Sequence, residues 1–80
     1  MRLDKFLKVS RIIKRRTVAN DACDASHVTV NGRPAKASYN VKEGDELSVT
    51  FGSRTVKVRV KSVCESIRKE DAINMYEVLE

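Results

Sequence analysis

The chain has 80 residues, 41% of them hydrophobic, and its 16 Lys and Arg against 11 Asp and Glu give a formal net charge of +5. That length suits one small core rather than two, and no apolar run approaches the roughly 20 residues that span a bilayer. The N-terminus also lacks the apolar stretch and small residues of a secretory signal, so a soluble cytoplasmic protein without a membrane partner is expected.

The charge is unevenly placed. Seven of the first sixteen residues are basic, namely Arg2, Lys5, Lys8, Arg11, Lys14, Arg15 and Arg16, and only Asp4 opposes them. This stretch carries +6, whereas the other 64 residues balance to −1. Such asymmetry points to a polyanion as partner. Nucleic acid fits, because clustered Lys and Arg release its condensed counterions on binding.

The first predicted element is a short helix over residues 2–8. Leu3, Phe6 and Leu7 share one face, and Arg2, Lys5 and Lys8 fall largely opposite. Asp4 and Lys8 are spaced to pair one turn apart. Residues 9–14 read as a connector anchored by Ile12 and Ile13. A second helix is expected over 15–25, with Val18, Ala19, Ala22, Cys23 and Ala25 inward and Arg16, Asn20 and Asp24 facing away.

After Ser26 the hydrophobic period changes from 3.6 to 2. Val28 and Val30 alternate with Thr29, and Asn31-Gly32 is a strong turn signal because both tolerate positive φ. Pro34 continues a loop, and 35–41 reads as a weak strand. Glu43-Gly44-Asp45 forms a second turn. Leu47, Val49 and Phe51 define the inward side of the next strand. Gly52-Ser53 turns the chain again, and Val56, Val58 and Val60 alternate with Lys57, Arg59 and Lys61. A polar turn at 68–72 and a last strand over 75–79 complete an α+β arrangement, two helices packed on a small antiparallel sheet.

No catalytic constellation is legible. His27 is the single histidine and has no nearby Cys or paired carboxylates to suggest a metal site, so it reads as a polar residue at a helix end. The three glycines are isolated in turns and make no phosphate-cradling loop. Cys23 and Cys64 have no Cys-x-x-Cys partner and read as two buried reduced thiols, without metal or disulfide. No enzyme and no cofactor are expected.

Arg11 and the Lys14-Arg15-Arg16 run bracket the connector and the start of the second helix. There they can meet phosphates beside backbone N–H groups at a helix N-terminus, with bidentate geometry from Arg. The alternating Lys57, Arg59 and Lys61 are weaker evidence, since such residues often only guard an outer strand. Phe6 and Phe51 both fall on inward faces, so no aromatic platform for stacking bases is expected. Recognition of phosphates and shape in a folded RNA fits better.

The stretch from Met1 to Gly32 resembles the alpha-L RNA-binding domain. The matching pieces are Arg2-Leu3-Asp4, Ser10-Arg11, Lys14-Arg15-Arg16-Thr17, Ala19 and Val30-Asn31-Gly32, with Val41 through Gly44-Asp45 extending the match. The resemblance implies one such domain over 1–80, with the core motif in about 1–51 and additional strands and tail in 52–80. It implies RNA contacts from Arg2, Lys5, Lys8, Arg11, Lys14, Arg15 and Arg16, with Asn31, Gly32 and Arg33 at the rim. Ser26 stands where the family often has a helix-ending Gly.

The chain is most similar to short stand-alone members acting in ribosome-associated quality control. That likeness implies a monomer that binds obstructed large ribosomal subunits and peptidyl-tRNA. It would contact ribosomal RNA and tRNA and support alanine tailing of stalled chains beside an RqcH-type partner. A heat-shock member that recycles large subunits ranks second, because it usually carries a longer basic C-terminal extension, whereas this sequence closes with Glu77-Val78-Leu79-Glu80. Two further classes remain open. A DNA-binding helix–turn–helix is disfavoured by the small Ala residues and two Asp of the second helix. A protein-interaction module with an incidental charged face is the other.

Overall fold

The computed structural model describes residues 1–63 and 75–79. Two helices, α1 (Leu3–Val9) and α2 (Arg16–Asp24), precede five strands: β1 (Val28–Val30), β2 (Arg33–Pro34), β3 (Glu46–Phe51), β4 (Arg54–Val60) and β5 (Tyr76–Val78). The strands form one antiparallel sheet in the order β2-β1-β3-β4-β5. The expected α+β architecture is what the chain adopts. Cys64 and the expected polar turn at 68–72 lie outside the described residues.

The i, i+3, i+4 spacing of Leu3, Phe6 and Leu7 makes α1 amphipathic, and all three are fully buried. They pack with Ala19 and Cys23 of α2 against Val28, Val30, Leu47, Val49, Val58 and Val60. The period-2 alternation of the strands thus supplies one apolar face, and the helices cover it. Small Ala19 and Cys23 let α2 come close.

The register is continuous across three strands. Val28 faces Val49, which faces Val56, and Val30 faces Leu47, which faces Val58. A slip of one residue would turn this apolar set to solvent.

Both helices end on non-glycine residues in the left-handed region. Arg11 follows α1 at φ 65°, and Ser26 follows α2 at φ 63°. At the second end the Ser26 N–H donates to the Cys23 carbonyl and the His27 N–H to the Ala22 carbonyl. These bonds satisfy carbonyls that the last turn leaves open. Ser26 therefore performs the turn that a glycine makes more cheaply.

Several expectations need correction. Residues 35–41 form no strand; Ala37 and Val41 are buried as loop anchors, and Asn40 makes only an isolated bridge with Arg2. The residues that do pair with β1 are Arg33 and Pro34, because the Asn31-Gly32 turn (φ 52° and 83°) folds the chain straight back. Val18 is not inward but 49% exposed, since the buried stripe of α2 is confined to Ala19 and Cys23. Phe51 is 43% exposed rather than inward. The ladder between β1 and β3 stops at Val28 and Val49, so Phe51 overhangs the apolar layer.

Candidate nucleic-acid interface

Arg2 precedes α1 in extended conformation, and Lys5 and Lys8 follow at intervals of three along that helix. The three basics therefore recur along one strip of it. Arg11 and Lys14 lie in the connector, Arg15 is the N-cap of α2 and Arg16 its first residue. Lys5 is half-buried and the other six are exposed.

Asp4 organises the centre of this region. It is 2% exposed, yet both carboxylate oxygens are occupied. Oδ1 accepts from Arg2 Nε at 3.2 Å and from the Lys5 N–H at 2.8 Å. Oδ2 accepts from Arg16 Nε at 3.3 Å, Asn20 Nδ2 at 3.3 Å and Arg2 Nη2 at 3.5 Å. Burial pushes the Asp4 pKa up, but the hydrogen bonds from Asn20, Arg2, Arg16 and the Lys5 backbone outweigh it and hold the group below its usual value.

This arrangement revises two sequence readings. Asp4 turns to Arg2, Arg16 and Asn20 rather than pairing with Lys8. Arg16 and Asn20, expected to face away, lie one turn apart on the side of α2 that meets α1. Both arginine side chains nevertheless stay about half exposed, at 51% for Arg2 and 49% for Arg16. Each keeps guanidinium donors available beyond the bond to Asp4. One buried acid thus holds two cations, one just before α1 and one opening α2, and leaves a net positive charge at the surface.

A second buried acid fixes the rim. Asp45, 8% exposed, accepts from Tyr39 Oη at 2.9 Å, the Lys42 N–H at 3.0 Å and Asn31 Nδ2 at 3.2 Å. Burial acts to raise its pKa; the Lys42 N–H, Tyr39, Asn31 and the Lys42 charge lower it further than burial raises it. The same contact raises the Tyr39 phenol. Asn31 Oδ1 in turn accepts the Glu46 N–H at 3.0 Å.

These bonds tie the Asn31-Gly32-Arg33 turn to the loop beside the N-terminus. In that loop the Tyr39 carbonyl accepts the Leu3 N–H at 2.8 Å, and the Asn40 side chain accepts the terminal ammonium at 2.7 Å. Under the turn, Arg33, Lys36, Ser38 and Tyr39 line an open groove of about 760 Å³. Lys36 lines this groove beside Arg33, a position that sequence reasoning does not single out.

The strand basics are arranged differently. Arg59 lies 3.4 Å from Glu46 and 3.8 Å from Glu77 across β3 and β5, so its charge is balanced locally. The β4 strand is also interior to the sheet, which removes the edge-guarding explanation. The Cys23 thiol is buried, and burial together with the nearby Asp4 and Asp24 charges pushes its pKa up to about 11. It remains a neutral core group. Among the described residues no group of His, Cys, Asp and Glu could hold a metal ion, and no helix is long and apolar enough to cross a membrane.

The stretch carrying the basic strip, the buried Asp4 and the Asn31-Gly32 turn matches the S4 domain model over residues 1–47. The chain belongs to the S4 domain family. It is 58% identical over 98% of its length to an RQC P-site tRNA stabilizing factor of Halalkalibacterium halodurans, covering 89% of that protein. It is 54% identical to the factor of the same name from Bacillus subtilis, over 99% of this chain and 92% of the other. Among solved structures, this S4 domain superposes on Heat Shock Protein 15 of Vibrio cholerae with a TM-score of 0.90 at 26% identity, covering 98% of this chain and 80% of that one.

Proposed function

We propose that the chain is a non-catalytic RNA-binding factor of ribosome-associated quality control. It binds obstructed large ribosomal subunits and their peptidyl-tRNA, contacting ribosomal RNA and tRNA together. Arg2, Lys5, Lys8, Arg11, Lys14, Arg15 and Arg16 form the phosphate-binding face, and Asn31, Gly32 and Arg33 form its rim. By steadying the tRNA it supports alanine tailing of the stalled chain beside an RqcH-type partner, as a cytoplasmic monomer.

The observation that carries this reading is the Asp4 cluster. A buried carboxylate spends its hydrogen bonds on presenting two half-exposed arginines. Preorganised guanidinium groups lose less freedom on meeting a phosphate. Two further features agree. Arg11 occupies a left-handed backbone position that glycine would take without strain, so the chain keeps its charge at a local cost. The N-cap of α2 makes no side-chain hydrogen bond to the first turn, and that turn contains no acidic residue of its own, which suits an incoming phosphate. Relatives named for stabilising P-site tRNA supply the biological setting.

A second reading, large-subunit recycling of the heat-shock type, draws on the 0.90 TM-score. It ranks lower because the identity is 26% there and 58% to the tRNA-stabilising relative. Crosslinking in cells followed by sequencing of the attached RNA tests the proposal. Joint recovery of large-subunit ribosomal RNA and tRNA is expected; recovery of neither overturns it.

A further inference from the structure

The β3–β4 hairpin ends in an exposed aromatic paired with a cation. Phe51 and Arg54 are direct cross-strand partners flanking Gly52-Ser53, and both are exposed. Just below them Thr50 and Thr55 face each other, with their hydroxyls 3.4 Å apart. Residues 50–57 include Arg54 and Lys57 and no acid.

Strand alternation puts Phe51 on the same side of the sheet as buried Leu47 and Val49, which is the side the helices cover. Its cross-strand partner Arg54 shares that side. Helical cover ends near Ser26, and the last link from this part of β3 toward β1 is the Thr50 N–H on the His27 carbonyl at 2.8 Å. The phenyl ring and the guanidinium therefore overhang the layer. This is the end of the sheet opposite the Asn31-Gly32-Arg33 turn, on a molecule whose longest extent is 28 Å.

We propose that the Phe51–Arg54 tip is a second RNA contact. An unpaired base stacks on the Phe51 ring while the Arg54 guanidinium meets its phosphate. This inference rests on the RNA-binding function above and adds a separate base-stacking contact to recognition read so far through phosphates alone. Stacking needs only an exposed π-face and a neighbouring cation, and it tolerates any base. The hairpin segment 50–57 carries Arg54 and Lys57 and no acid, which favours this occupant over an apolar protein segment.

The test uses the full chain and large ribosomal subunits carrying peptidyl-tRNA. A photoreactive benzoylphenylalanine at position 51 is expected to crosslink to RNA, and one at exposed position 78 is not. Phe51→Leu, which keeps an apolar side chain but loses the ring, is expected to bind about tenfold more weakly, with Phe51→Tyr close to wild type. Thermal melting of each variant separates a folding defect from a binding one. An adduct with protein only, no adduct, or undiminished binding of a folded Phe51→Leu overturns the proposal. If that result accompanies a binding defect in Arg2→Ala/Arg16→Ala, the stacking tip falls and the basic face stands. If the wild-type chain binds no RNA, both fall.

Discussion

Asp4 of α1 accepts a hydrogen bond from Arg16 of α2 at 3.3 Å, across twelve residues of sequence. The bond fixes how the two short helices present their cations. One acidic residue thereby joins the start of α1 to α2.

Asp4→Asn keeps the shape but removes the charge that gathers Arg2, Arg16 and Asn20. Charge-assisted hydrogen bonds of this kind contribute about 1.5–3 kcal/mol each, and the half-exposed arginines recover part of that from water. A loss of about 2 kcal/mol in urea unfolding is therefore expected. Binding to large subunits should weaken although the net charge becomes more positive. Tighter binding would mean that charge alone governs recognition.

Acid should unfold the protein through the buried carboxylates of Asp4 and Asp45. Asp4 and Asp45 both have folded-state pKa values below the ordinary 3.8. Their stabilising contribution is fully present above that value and is lost as pH falls through it toward the folded pKa. Stability should thus be level between about pH 7 and 5 with respect to these groups and drop below about pH 4. Urea midpoints across pH check this, and Asp45→Asn should flatten the acid limb.

The two left-handed helix ends make opposite predictions for binding. Ser26→Gly relieves a backbone cost of roughly 1 kcal/mol and should raise the melting temperature by several degrees without touching RNA affinity. Arg11→Gly should stabilise the fold by a similar mechanism yet weaken RNA binding. Paired melting and binding curves decide whether Arg11 is held for its side chain.

Much of this was legible in the sequence, for local reasons. Helical spacing of Leu3, Phe6 and Leu7, the switch to alternation at Val28 and the Asn31-Gly32 turn are short-range patterns, and the fold follows them. The cationic residues needed only counting. The Asp4 cluster was hidden because its partners come from two helices whose packing no periodicity states, although the i, i+4 spacing of Arg16 and Asn20 hinted at a shared side. Residues 35–41 read as a weak strand, whereas there Ala37 and Val41 anchor a loop pinned by Tyr39 and Asp45. Phe51 has the alternation of a core residue and misses the core only because β1 stops at Val28.

The most direct measurement is salt-dependent co-sedimentation of Arg2→Ala/Arg16→Ala with large ribosomal subunits carrying peptidyl-tRNA. The folded variant should bind more weakly, and its log affinity should fall less steeply with log salt, by about one unit of slope or less for each phosphate that is no longer neutralised. Wild-type affinity with an unchanged slope in the folded variant would contradict the assignment of the α1–α2 surface to RNA.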